Sequence, residues 1–251
     1  MNVFTPLELQ YGGVGELPIA YLGTPYGGWA FQFKSHMVGG VAVCAGAGCD
    51  ISFEVELARR LHMTVIIVDP TPIAKDHVKE VLLGRDRDVA HLPLVGAYQR
   101  PSSYQLDAAS RDRILFEDVA LSDEDGHIYL YRQDSSGRPA DPSLSSKRRR
   151  GASGRSLLVE SRSLQSLIEL HQIDRLDILK LDIEGAEYDV IESLRGISIL
   201  PRQVLVEFDD LLYPSRASRT RVRDSLKHLE RLGYELVYFD GVTNACYELR
   251  R

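Results

Sequence analysis

One segment constrains the fold more than any other: Leu176 to Glu187, which reads LDILKLDIEGAE. An apolar run of Leu176, Ile178, Leu179, Leu181 and Ile183 carries a single lysine, Lys180, and ends among Asp182, Glu184, Gly185 and Glu187. A short run of this kind predicts a strand buried on both faces, as in a parallel α/β sheet. Its carboxylates then fall at the strand's C-terminal end, the edge where open α/β sheets bind ligands. Acids gathered at that edge point to a site, which acids scattered over a surface do not.

The rest of the chain supplies the sheet that such a strand requires. From Val41 the pattern alternates: a strand at Val41 to Ala45, a helix from Ser52 to Leu61 with Phe53, Leu57 and Leu61 on one face, a strand at Thr64 to Asp69, and a helix from Ile73 to Leu83. Alternation of strand and helix predicts a doubly wound, mostly parallel sheet. A third strand is expected over Ile114 to Leu121, then a turn at Asp123 to Gly126 into His127 to Tyr131. Helices follow at Ser163 to His171, Tyr188 to Leu194 and Arg216 to Leu232, with a strand at Gln203 to Asp209. The last two strands, Tyr234 to Asp240 and Asn244 to Arg250, are joined only by Gly241, Val242 and Thr243, so they form an antiparallel hairpin.

Length and composition frame this reading. The 251 residues, 44% hydrophobic, suffice for one sizeable core, so one α/β domain is expected over 41–251. Residues 1–40, rich in glycine and aromatics and with a hairpin strand at Trp29 to Lys34, read as an N-terminal cap. Two inserts interrupt the framework, near 92–113 (Tyr98 and Tyr104 around Pro101) and 132–156 (Ser, Gly, Pro and Arg, with Lys147 to Arg150). The formal charge of −6 argues against a general nucleic-acid or membrane-surface binder, and Lys147 to Arg150 read as a solvated loop. Cys44, Cys49 and Cys246 match no zinc or disulfide framework, and no leader or membrane-spanning run is visible, so a cytoplasmic location is expected.

A second signal lies at the exit of the first strand: Cys44-Ala45-Gly46-Ala47-Gly48-Cys49-Asp50. Small residues after a buried strand let backbone approach a nucleotide-like ligand, and the next helix offers its positive N-terminus. Asp69 closes the second strand about twenty residues on, where an acid accepts hydrogen bonds from ribose hydroxyls; the plainer alternative is a helix cap before Pro70. Together these elements specify an adenosine-type cofactor. A dinucleotide fingerprint requires a further small residue where this chain has Ile51, so a ligand without pyrophosphate suits the loop better.

These motifs resemble the FkbM family of S-adenosylmethionine-dependent methyltransferases. The resemblance is carried by VAVCAGAGCDIS at Val41 to Ser52, VDPTP at Val68 to Pro72, EDVALSDEDG at Glu117 to Gly126 and, above all, ILKLDIEGAE at Ile178 to Glu187. It implies a seven-stranded class I methyltransferase fold, Rossmann-like, with a reversed C-terminal hairpin. It implies S-adenosyl-L-methionine as cofactor and a hydroxyl on a sugar, lipid or secondary metabolite as acceptor. By position, Ala45, Gly46 and Gly48 would face the methionine portion, Asp69 with Pro70 the ribose, and Asp118 and Val119 the adenine. Asp182 would sit beside the sulfonium or the acceptor. Many such enzymes carry an acid in the first strand, where this chain has Val43 and Cys44, so the methionine amino group would be met by Asp182 or Asp50.

Transfer to a hydroxyl also needs a base, and Asp182 and Glu184 are the candidates. They alternate along a strand, so only one need enter the site; Glu184 has the equally plain reading of a helix-start acid. Glu207, Asp209 and Asp210 with Asp182 could bind a divalent cation that lowers the hydroxyl pKa, although acids after strands more often cap helices and no metal is favoured. His127 and His36 pair with no acid at a recognisable spacing and read as surface or packing residues. The expected activity is O-methylation of a small molecule, with no nucleic-acid or membrane partner and a homo-oligomer left open. N-methylation and a non-catalytic adenosine-cofactor-binding protein are the alternatives.

Overall fold

A computed structural model describes residues 9–10, 18–85, 99–132, 144–145, 156–212 and 214–250. Tyr98, Lys147 to Arg150 and most of the 132–156 insert lie outside the described residues, as do the N-terminal glycines Gly12, Gly13 and Gly15.

The chain opens with strands β1 (Leu9–Gln10), β2 (Ile19–Leu22) and β3 (Trp29–Gln32), which pair antiparallel. Then come β4 (Val41–Ala45), helix α1 (Ser52–Arg60), β5 (Thr64–Val68), α2 (Pro72–Leu83), the short α3 (Ala108–Arg111) and β6 (Ile114–Glu117). Strands β7 (Ala120–Ser122), β8 (Gly126–Arg132), β9 (Leu144–Ser145) and β10 (Ser156–Ser163) follow, then α4 (Leu164–Leu170) and β11 (Ile178–Leu181). The chain closes with α5 (Glu187–Ser193), β12 (Gln203–Glu207), α6 (Arg216–Leu232), β13 (Tyr234–Phe239) and β14 (Asn244–Leu249).

Seven strands form the main sheet in the order β13-β14-β12-β11-β4-β5-β6. The five from β12 to β6 are parallel, and only β14 and β13 run against their neighbours, as a reversed hairpin. This is the class I methyltransferase arrangement. Side chains of the central strands alternate between two cores, as the period of a strand demands. Ala42, Cys44, Val65, Ile67 and Ile178 face α1, α2 and the N-terminal strands; Val43, Ala45, Ile66, Val68, Leu179 and Leu181 face α4, α5 and α6. Helix α6 has its ends specified locally, by a capping box between Ser215 and Ser218 and by Gly233 at φ 95°.

The order of winding places the site. From β4 the chain proceeds through β5 and β6 on one side, then returns to β11 and β12 on the other, so strand order reverses between β4 and β11. Ligands of open α/β sheets bind outside the strand ends at this point. The glycine loop leaves β4 there, and Asp182 leaves β11.

One expectation needs correction. The strand predicted over Ile114 to Leu121 is broken: β6 ends at Glu117 opposite Val68, and β7 begins at Ala120 in a different sheet, opposite Ser161 of β10. Within that four-stranded sheet, ordered β7-β10-β8-β9, the pairing of β10 with β8 lies across the poorly patterned insert, so no local periodicity announces it. Among the described residues, no helix is long and apolar enough to cross a membrane. The three cysteines are free and buried.

Candidate active site

Backbone contact joins the two motifs. Gly46 stands at φ +86°, a conformation that L side chains rarely adopt, and its N–H donates to the Val68 carbonyl at 3.0 Å. A β-carbon there would lie 1.8 Å from the carbonyl oxygen of Asp182, so only glycine lets the loop lie against the end of β11. The Asp182 N–H in turn donates to the Ala45 carbonyl at 3.1 Å.

Asp69 ties the same loop to β5. Its Oδ2 accepts from the N–H groups of Ala47 (2.8 Å) and Gly48 (3.2 Å). Its Oδ1 accepts from Thr71 N–H (2.8 Å) and Thr71 Oγ1 (2.6 Å). Four donors take up the acceptor capacity of one carboxylate. Asp69 therefore organises the loop, and any ribose hydroxyl it holds must share these lone pairs. Asp50 plays a comparable part at the loop's exit, accepting from Ser52 N–H at 2.9 Å and from the hydroxyls of Thr24 and Tyr104.

Lys180 is the feature for which sequence reasoning found no role. It lies in β11, in register with Cys44 of β4, and its side chain is 3% exposed. The ammonium donates to the Gly46 carbonyl at 2.7 Å and to Glu54 Oε1 of α1 at 3.0 Å, and lies 5.6 Å from the centre of the Trp29 ring. Burial alone would lower its pKa, but the charges of Glu54 and Asp182 beside it carry it above the ordinary lysine value. A lysine in an otherwise apolar strand was the available signal, since buried lysines are almost always paired. The partner could not be read, because it lies elsewhere in the chain.

Four carboxyl groups form the opposite wall. Glu184, held at φ +49° beside Gly185, hydrogen-bonds Asp209; Glu207 hydrogen-bonds Asp182 and accepts from Thr243 Oγ1 at 3.2 Å. Burial, then the neighbouring carboxylates, push Glu184 and Glu207 up to about 9, well above the usual carboxylate range, so these two glutamates hold their protons at neutral pH. Asp182 is the open member, with its side chain 37% exposed. Asp210 is drawn off to Arg221 at 2.6 Å. Among the described residues, no group of His, Cys, Asp and Glu side chains is arranged to hold a metal ion.

These elements enclose one cavity of about 340 Å³. The loop (Gly46 to Asp50), Asp69, Pro70, Asp182 and Glu184 line it, as do Lys180, Glu207, Asp209 and Asn244. Tyr26, Gly27 and Trp29 close it from the N-terminal strands, and Ala120, Leu121, Ile128 and Leu130 from the second sheet. Ala45, Asp118 and Val119 do not line it. Ala45 is buried in β4, Val119 packs in the core, and Asp118 is paired with Lys75 of α2. His36 and His127 are exposed and also stand outside the lining.

Comparison with known proteins bears on this site. The family model described as the methyltransferase FkbM domain matches residues 76–236, more than half of the chain. The matched span includes the carboxylate wall and begins beyond the glycine loop and Asp69. No curated protein sequence matches the chain. Among solved structures, the crystal structure of M. jannaschii TYW2 in complex with AdoMet is similar at 12% identity, over 94% of this chain and 88% of that one, with a TM-score of 0.31. On the strength of the domain match, the chain belongs to the FkbM family of S-adenosylmethionine-dependent methyltransferases.

Proposed function

We propose that this cavity binds S-adenosylmethionine along the glycine loop and that its methyl group passes to a hydroxyl of a small molecule, with Asp182 receiving the hydroxyl proton. The observation that carries the reading is that both motifs, from β4 and from β11, line one cavity at the point where strand order reverses. The loop suits a cofactor backbone: Gly48, at φ +50°, has nothing within 4 Å where a β-carbon would stand. Pro70 and Ile73, beside Asp69, give an apolar wall suited to adenosine on the β5 side. The adenine role expected of Asp118 and Val119 passes in this reading to those lining residues.

Methyl transfer asks for alignment of sulfonium, methyl carbon and oxygen, which binding supplies, and for a base. The S–C bond breaks as the C–O bond forms, S-adenosylhomocysteine leaves, and the hydroxyl proton goes to a carboxylate. Asp182 suits this role better than Glu184, because Glu184 and Glu207 already hold protons at neutral pH and Asp182 is exposed to the cavity. Ile128 and Leu130 of the second sheet favour an acceptor with an apolar portion. Incubation with methyl-labelled S-adenosylmethionine and a panel of hydroxylated metabolites tests the reading. It expects an O-methyl product, and an Asp182→Asn variant that still binds S-adenosylhomocysteine but transfers poorly. A product methylated on nitrogen contradicts the hydroxyl assignment.

A further inference from the structure

We propose that Lys180 is a positioning residue for this site: its ammonium fixes the glycine loop, and Glu54 of α1 supplies the counter-charge that β4 lacks. The inference rests on the methyltransferase reading of the cavity. A charged amine inside a parallel sheet is costly unless it is paired and hydrogen-bonded. Lys180 meets that demand with two bonds of different kinds. Glu54, whose side chain is fully buried, neutralises it at 3.0 Å, while the Gly46 carbonyl at 2.7 Å connects it to the loop. Asp182 Oδ2 stands 3.9 Å away on the third side. One ammonium thus sits between the cofactor loop and the candidate base.

The position in β4 that faces Lys180 explains why the carboxylate comes from a helix. Cys44 is its neighbour in register, both side chains are buried, and both point toward α1. Burial, with the nearby Glu54 charge, keeps Cys44 a neutral thiol. Any charge that balances Lys180 must come from the layer packed above, and Glu54 provides it. A carboxylate placed at Cys44 would meet the same ammonium from the sheet.

Calorimetric titration with S-adenosylhomocysteine, with thermal melts alongside, tests the proposal. Replacing the buried pair by apolar residues, Lys180→Met with Glu54→Leu, keeps the fold and is expected to weaken binding about tenfold or more. Glu54→Gln weakens binding as well, and adding Cys44→Asp to it restores affinity to within about threefold of wild type. Wild-type affinity in the Lys180→Met/Glu54→Leu variant overturns the proposal and leaves the pair a matter of stability alone. So does a Cys44→Asp/Glu54→Gln variant no tighter than Glu54→Gln. If the wild-type chain itself binds no S-adenosylhomocysteine, the reading of the cavity fails, and the proposal with it.

Discussion

Gly46 and Asp182 are in backbone contact: the hydrogen on the Gly46 α-carbon occupies a place from which a methyl group would strike the Asp182 carbonyl at 1.8 Å. The two motifs are therefore one structure, although they lie far apart in sequence. Gly46→Ala must move the loop away from β11 and also adopt φ +86° with a side chain, a strain of about 1–3 kcal/mol before any clash. The expected outcome is a lowered melting temperature and loss of detectable S-adenosylhomocysteine binding. Gly48→Ala, with open space around its α-carbon, should fold with a loss of about 1 kcal/mol, measured by denaturant titration.

Asp69→Asn preserves shape and reverses polarity. At Oδ2 two N–H groups converge, and an amide NH₂ in that place would face both as a second donor. If the amide turns instead, its NH₂ faces the Thr71 N–H, again a donor against a donor. Cofactor affinity should fall by about tenfold or more, as calorimetry would report. Unchanged affinity would show that neither the loop nor the ribose depends on this carboxylate.

The carboxyl pairs make stability fall with pH. Glu184 and Glu207 bind their protons more tightly in the folded protein than in the unfolded chain. The stabilisation this brings is complete below the ordinary value of 4.5 and is lost as pH rises through the raised folded values. Glutamine mimics the protonated acid at every pH. A Glu184→Gln/Glu207→Gln variant should match wild type in mild acid and exceed it in melting temperature toward alkaline pH. Parallel pH profiles for the two proteins would contradict this.

Much of this was legible in the chain. Val41 to Ala45, Arg216 to Leu232 and the terminal hairpin follow from strong local patterns, and the observed elements agree with them closely. The break at Asp118 and Val119 was not legible, because Ile114 to Leu121 is apolar enough for one strand and only tertiary pairing divides it between two sheets. Glu54 carries no local mark of its role; it is fully buried and paired with a lysine 126 residues away in sequence. The carboxyl wall was visible as separate acids, but sequence could not show that they pair as Asp182 with Glu207 and Glu184 with Asp209.

The N-terminal strands are held to the main sheet by a side chain that imitates a strand. Gln203 donates to the Gln32 carbonyl at 2.6 Å and accepts from the Gln32 N–H at 3.1 Å, in a buried setting. Gln203→Leu removes both bonds, at a cost of about 1–3 kcal/mol. Chemical denaturation measures it, and because β3 carries Trp29 into the cavity, cofactor affinity should fall in the same variant.

The contact between Gly46 and Asp182 forms the floor of the proposed cofactor site. Calorimetric titration of S-adenosylmethionine into the wild-type chain and into folded Gly46→Ala tests it most directly. One cofactor is expected to bind per wild-type chain and none in the variant. Equal binding by both proteins, or no binding by the wild type, would contradict it.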